Sequence, residues 1–212
     1  MKIHMMLRYI SSIVLFSLFF CSSSSAQLTV GVGFAGMKYY GDANERPLAA
    51  GFNGNLAIEF SPKTRVVLEP TFFFPVTYSY NQTLKTGNVP SVKTAETFST
   101  TEAAALFQFD LIGNNKGGGV IYLSAGPSVI LYNTSVTRQN VANYNYAGSF
   151  HDYMFDARAG FEVPFLIFLK FYAEVEIEPK IASDFKSSSN SVSYTPNASS
   201  IMAATIGLRV HI

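Results

Sequence analysis

Charged side chains are scarce in this sequence. Asp, Glu, Lys and Arg make up 14% of the 212 residues, against about 25% in ordinary soluble domains. Neither sign predominates, because Lys2 and Arg8 are the only charges before Gln27, and the 13 basic residues left of the 15 then face 14 acidic ones. No field of one sign can steer the chain to phosphate, so a nucleic-acid-binding role is excluded.

Cysteine and long hydrophobic runs are also nearly absent. Cys21 is the single cysteine, and the apolar run over residues 13–20 is far short of the about 20 residues that a spanning helix needs. This run follows a basic start and precedes small residues up to Ala26, a pattern typical of a secretory signal peptide rather than a membrane anchor. We predict a cleaved signal peptide over 1–26 and a disulfide-free exported barrel domain over 27–212.

Helical periodicity is lacking after Gln27. What recurs is alternation of apolar and polar residues with a period of two, which is typical of β-strands that bury one face. Clusters of Gly, Asn, Ser and Pro separate the alternating segments. We predict eight strands, over residues 27–40, 50–60, 65–79, 97–111, 119–133, 150–163, 168–183 and 199–212.

The predicted connections alternate in length. Long polar segments over residues 41–49, 80–96, 134–149 and 184–198 alternate with short turns such as the one at residues 61–64. Antiparallel hairpins with long loops at one end and tight turns at the other are the plan of an outer-membrane barrel. The sequence therefore predicts an all-β protein, an eight-stranded antiparallel up-and-down transmembrane β-barrel.

One face of each predicted strand is free of charge. In the seventh strand, Phe171, Val175 and Ile177 alternate with Glu174 and Glu176. A soluble lipocalin-like barrel also alternates, with its apolar face inside. The polar face here is rich in Gly, Ala, Ser and Thr, which suits a narrow filled lumen better than a solvated surface.

Aromatic residues near the strand ends point the same way, because interfacial girdles flank the apolar band of a membrane barrel. Those near the long loops are Tyr39, Tyr40, Tyr78, Tyr80, Tyr132 and Tyr153, and those near the tight turns are Phe60, Phe109, Phe161 and Phe165.

Several segments also resemble a known family. Residues 68–72 (Leu-Glu-Pro-Thr-Phe), 125–127 (Ala-Gly-Pro) and 159–164 (Ala-Gly-Phe-Glu-Val-Pro), together with the strand pattern, look like the small outer-membrane β-barrel proteins of Gram-negative bacteria. These are the OmpA/OmpX-type barrels and the PorT-like group. The resemblance implies an outer-membrane location, contact with outer-membrane lipid and lipopolysaccharide, and insertion by the barrel-assembly machinery.

The C-terminal strand is similar to the insertion signal of that family. The signal consists of a polar residue, a glycine and two apolar residues, and the second apolar residue, which ends the chain, is usually aromatic in that family. Ile212 departs from the last of these features. The implied insertion-signal residues are Thr205, Gly207, Val210 and Ile212.

Charged residues on the polar face are the candidate functional residues. Eight strands enclose just enough room for side chains, so an open porin is not expected. Charges in such a lumen must be paired, hydrated or protonated. We predict a lumen ion-pair network, with a gated proton or ion path and a metal site among the strand-seven carboxylates as alternatives; no catalytic, cofactor-binding or metal-ligating residue is assigned. The network residues are Glu59, Glu69, Glu102, Asp156, Arg158, Glu162, Lys170, Glu174, Glu176, Glu178 and Arg209, and His211 shares their face.

The predicted role is structural, adhesive or in envelope assembly, with any protein partner bound through the long loops, and no cofactor is implied. A lipid A-modifying outer-membrane enzyme is one alternative, with His151 as its candidate base beside Asp152 and Ser149. Adjacent strand residues point to opposite faces, so His151 and Asp152 are not expected to pair. A soluble periplasmic carrier of an apolar ligand is the other alternative.

Overall fold

The computed structural model describes residues 27–40, 47–82, 92–114, 117–139, 145–166, 168–184 and 199–212. The predicted signal peptide lies outside these residues. No helix in the described part of the chain is long and apolar enough to cross a membrane. The strands are β1 (Leu28–Tyr40), β2 (Ala49–Ser61), β3 (Thr64–Gln82), β4 (Val92–Asn114), β5 (Gly117–Arg138), β6 (Tyr146–Pro164), β7 (Leu169–Asp184) and β8 (Ser200–His211).

Each strand pairs antiparallel with the next, and β8 pairs with β1, so the sheet closes into a barrel. The ends of the described chain take part in this closure. The Leu28 amide donates to the Ile212 carbonyl at 3.3 Å, and the Ile212 amide donates to the Leu28 carbonyl at 2.8 Å. The predicted eight-stranded up-and-down barrel is confirmed.

The apolar face of the strands points outward. On β1, Val32 and Phe34 are 64% and 71% exposed, whereas Thr29 and Met37 are fully buried. Such a surface is stable against hydrocarbon but not against water. This is the membrane-barrel arrangement, and it is the reverse of the apolar interior that a lipocalin-like carrier needs.

Tight turns join the strands at the end that also holds the two termini, which we call the turn end. In the two-residue turn between β2 and β3, the Ser61 and Thr64 hydroxyls lie 2.8 Å apart. Where β4 ends, Gly113 has a φ of 82°, and an added Cβ would lie 2.1 Å from the Gly119 carbonyl oxygen. A side chain cannot be placed there, so this glycine is required by the turn.

Four strands are at least four residues longer than the sequence predicts. A membrane span needs about 9–11 residues per strand, and β1 has 13, but β3, β4, β5 and β6 have 19, 23, 22 and 19. The predicted loops 80–96 and 134–149 are therefore partly wrong. Beyond the apolar belt, the band of outward apolar side chains around the barrel, the outward side chains are polar as well as the inward ones. Alternation between apolar and polar residues therefore no longer indicates a strand there. Within these two predicted loops the extra strand residues are 80–82, 92–96, 134–138 and 146–149, and the predicted loops 41–49 and 184–198 also yield Ala49 and Asp184 to strands.

These extensions form a four-stranded sheet, which we call the outer sheet: residues 76–82, 92–100, 132–138 and 146–150. Within the described residues, β2 pairs with β3 up to Gly51 and Phe73, and β7 pairs with β6 up to Asp184 and His151. The outer sheet therefore continues beyond the closed part of the barrel, at the end opposite the turn end.

The prediction of two aromatic girdles is partly wrong. Phe109 and Phe161 do face outward near the turn end, at 44% and 43% exposure. Tyr39 and Tyr132, however, are buried inside the lumen. Their position along the strand suggested a girdle, but Tyr39 shares the inward face with Met37, so parity decides its environment.

Candidate functional site

The inward faces of β3, β4, β6 and β7 bring a group of carboxylates to one guanidinium. Arg158 is buried, and none of its partners has a side chain more than 4% exposed. Its position on β6 places it between acidic residues of strands on several sides of the barrel. Its nitrogens lie 2.5 Å from Glu69, 2.6 Å from Asp156, 2.9 Å from Glu176, 3.3 Å from Glu174 and 3.5 Å from Glu102.

A second centre forms around Arg209 of β8. Its two terminal nitrogens each lie 2.6 Å from a carboxylate, that of Glu162 and that of Glu174. The guanidinium carbon lies 4.0 Å from the centre of the Tyr172 ring, a distance at which the ring face attracts a cation. Arg65 of β3 also pairs with Glu162. Glu174 thus links the Arg158 and Arg209 centres, and Glu162 links Arg209 with Arg65.

Further ionisable side chains lie toward the turn end. Lys170 approaches Glu162 at 3.8 Å, and His211 Nδ1 lies 3.3 Å from Glu59. Thr29 donates to Glu59 at 3.1 Å. The structure thus places every residue of the predicted network in the lumen. Glu178 accepts a hydrogen bond there from the Ser128 hydroxyl, at 2.7 Å.

Acid exceeds base in this ionic part of the lumen. Its buried cations are Arg65, Arg158, Arg209 and Lys170. Ionised carboxylates in a low-dielectric interior need compensating charge or donors. The buried carboxylates are more numerous: Glu59, Glu69, Glu102, Asp110, Asp156, Glu162, Glu174, Glu176 and Glu178.

An apolar layer covers the ionic part on the side away from the turn end. The alternation pattern of the sequence does not predict this layer. Glu102 lies opposite Ile130 in the β4–β5 register, and Glu178 lies opposite Ile201 in the β7–β8 register. Both isoleucines are fully buried. The layer comprises Ala35, Met37, Tyr39, Ala49, Phe73, Phe98, Ile130, Tyr132, Phe150, Met154, Ile201 and Ala203.

Sequence reasoning missed several members of the network. Arg65 shares the inward parity of Val67 and Glu69, so parity could have found it. Tyr122 and Tyr172 act as polar partners: the Tyr122 hydroxyl donates to Glu174 at 2.5 Å, and Tyr172 accepts from Asn55 at 3.1 Å. No periodic signal distinguishes a tyrosine that supplies a hydroxyl from one that only fills space.

Of the residues implied in the insertion signal, Thr205, Gly207 and Val210 occupy ordinary positions of β8, and Ile212 follows the strand. Thr205 is buried, and Ile212 is 74% exposed. Gly207 has a packing role, because an added Cβ would lie 2.3 Å from the Val32 carbonyl oxygen and 2.5 Å from Tyr172 Cε1. Whether the assembly machinery reads these residues stays a prediction.

The residues considered for an enzyme do not converge. Asp152 faces the lumen and pairs with Lys180 at 3.0 Å. His151 packs edge-on against the Tyr153 ring, with ring centres 5.4 Å apart, and Ser149 donates to Asn133 at 2.6 Å. A base and its orienting carboxylate must share a hydrogen bond, and here they point to opposite faces.

No protein-family model and no curated protein sequence matches the chain. Solved structures do match it. Neisserial surface protein A aligns with a TM-score of 0.56 at 13% identity, over 88% of this chain and 99% of its own. OprG from Pseudomonas aeruginosa gives 0.54 at 11%, over 88% and 96%. Ail, the attachment invasion locus protein of Yersinia pestis, gives 0.53 at 11%, over 89% and 100%. The chain thus has the fold of the small eight-stranded outer-membrane β-barrels.

Proposed function

We propose that the protein is an integral outer-membrane barrel whose filled lumen anchors a binding sheet at the cell surface. The observation that carries this proposal is the outer sheet, which extends well beyond the apolar belt. A barrel that only spanned the membrane would need no strands of 22 or 23 residues. The termini and tight turns then lie in the periplasm, and the outer sheet lies outside the cell.

The outward surface of the outer sheet is polar and ordered. Thr77, Thr97 and Ser135 lie in one row across β3, β4 and β5. The Thr77 and Thr97 hydroxyls are 2.7 Å apart, and such cross-strand pairs stabilise a sheet. This surface of hydroxyl groups is suited to hydrogen bonding with a macromolecular partner.

The lumen supports an anchor rather than a channel. Buried side chains of the ionic part and of the apolar layer occupy successive levels of the interior. An eight-stranded barrel is just wide enough for side chains, so a filled lumen is the expected state. Lipid and lipopolysaccharide would contact the apolar belt, and the barrel-assembly machinery would insert the chain.

Adhesion is the predicted role that the outer sheet favours over a purely structural one. Ail, which shares the fold, is named an attachment invasion locus protein. Its identity to this chain is 11%, so the likeness shows the fold, and the role rests on the outer sheet of this chain. Attachment to another surface needs a projecting, hydrated platform, and the outer sheet is one.

Cysteine labelling should place the outer sheet outside the cell. Cys21 is the only native cysteine and belongs to the predicted signal peptide. In intact cells of a Gram-negative host, Ser135→Cys should therefore react with a membrane-impermeant maleimide. Lys63→Cys, in the β2–β3 turn, should react only after the outer membrane is opened. The opposite labelling pattern, or recovery of the protein in the soluble periplasm, would contradict the proposal.

A substituted row on the outer sheet should separate adhesion from anchoring. Replacing Thr77 and Ser135 by lysine and Thr97 by glutamate changes the exposed face without touching the lumen, and it sets opposite charges across the strands, which keeps the sheet paired. We expect the variant to remain folded in the outer membrane, while binding of the cells to cultured epithelial cells falls to the level of cells without the protein. Lys63→Glu, at the turn end, is the matched control and should adhere normally. Unchanged adhesion in the triple variant would refute the binding role of this face.

A further inference from the structure

Three carboxylates from different strands meet where the ionic part borders the apolar layer. Glu102 of β4, Asp156 of β6 and Glu178 of β7 each present an oxygen, and these oxygens lie within 4.8 Å of one another. The three residues are 1%, 0% and 0% exposed. Like charges this close in a dry site repel strongly unless something positive lies between them.

Two oxygens of this group have no donor among the described residues. Asp156 uses Oδ2 for Arg158, at 2.8 Å from Nε and 2.6 Å from Nη2, and Glu178 uses Oε2 for Ser128. Asp156 Oδ1 and Glu178 Oε1 are buried and accept no hydrogen bond. A buried acceptor without a partner is costly, so both oxygens are available to a ligand.

The neighbouring arginines cannot supply the missing charge. Arg158 is already shared by five carboxylates, two of which, Glu102 and Asp156, belong to this group. Arg209 is shared by Glu162 and Glu174. On the side of the apolar layer, Lys180 is engaged by Asp152 at 3.0 Å.

We propose that Glu102, Asp156 and Glu178 bind a calcium ion inside the barrel. The donor set is all oxygen, which selects hard cations over zinc or copper. Calcium takes about six to eight oxygen ligands at about 2.4 Å in a flexible geometry, and carboxylates serve it with one or both oxygens. Magnesium demands a near-ideal octahedron and usually keeps several waters, which a site bordered by the apolar layer does not favour. The ion joins β4, β6 and β7 and reduces the acid excess next to the apolar layer, whatever the protein binds at the cell surface.

Refolding with and without calcium tests the site directly. The purified full-length protein is refolded in detergent with calcium chloride or with EDTA, desalted, and analysed for total metal. We expect a single calcium ion per barrel after refolding with calcium, none after EDTA, and a higher unfolding temperature for the calcium-loaded form. A wild-type barrel that folds without retaining calcium overturns the proposal and leaves shared protons as the compensation.

Variants locate the ion. Glu178→Gln and Glu102→Gln each keep the side-chain shape and remove one ligand charge, so both should lose the calcium and its effect on unfolding. Glu96→Gln is the matched control: Glu96 is also a buried lumen carboxylate, but it accepts from Tyr78 at 2.7 Å and from Thr134 at 3.1 Å. It should retain the ion. Folding is checked by the heat-dependent shift in gel migration. Equal calcium in wild type and in a folded ligand variant would overturn the assignment.

Discussion

Replacing Arg158 by alanine is expected to lower the free energy of unfolding by about 3–5 kcal/mol, the cost of removing one partner from a buried ion pair. The guanidinium lies within 3.5 Å of five carboxylates. Its loss leaves their charges facing one another in a dry interior. The effect arises from the uncompensated carboxylates and not from the value of any single ion pair.

The measurement is urea unfolding of the refolded barrel in detergent micelles. Far-ultraviolet circular dichroism follows the unfolding, because the chain has no tryptophan to serve as a fluorescent probe. Arg158→Lys is the charge-preserving control and should recover part of the loss, since lysine keeps the charge but not the planar fork. The defect of Arg158→Ala should also shrink as pH falls, because protonated carboxyl groups no longer repel. Equal stability of the wild type and the alanine variant at neutral pH would show that the cluster is compensated in another way.

Parity of the side chains carried the prediction of the fold. Charges such as Glu174 and Glu176 fall on one face of β7 and residues such as Phe171 and Val175 on the other, so a period of two divides the strand residues into two faces. A one-residue error in register would move every charge to the lipid face. Because that error is so costly, alternation predicts the strands, and the small residues of the polar face then indicate that this face points into the lumen.

The limits of the sequence reasoning also have physical causes. Strand ends were underestimated where β4 and β5 leave the apolar belt, because Lys93, Thr97 and Ser135 on the outward face are as polar as the inward residues Thr94 and Glu96. The members of the network could be predicted, but not their pairing. Arg158 contacts Glu69 across the lumen at a sequence separation of 89 residues, and such contacts depend on the stagger of all eight strands.

The second large effect is expected at Gly207. Replacing it by alanine should lower the free energy of unfolding by about 3 kcal/mol, the upper end of the usual cost of overpacking. The added Cβ would lie 2.3 Å from a backbone carbonyl oxygen of β1, at Val32, and 2.5 Å from the Tyr172 ring. A flexible side chain could move away, but the β1 backbone is fixed by its pairing with β8.

This prediction separates the two explanations for the glycine. If Gly207 serves only as a signal for the assembly machinery, Gly207→Ala should refold in detergent as well as the wild type, since no machinery is present there. If packing requires it, the variant should lose stability in detergent as well as in cells. Gly54→Ala is the matched control, because no atom lies within 4 Å of its added Cβ, and it should behave like the wild type in both settings. A Gly207→Ala barrel that is fully stable in detergent but fails to assemble in cells would assign the residue to recognition, whereas failure in both settings assigns it to the contact with Tyr172 and β1.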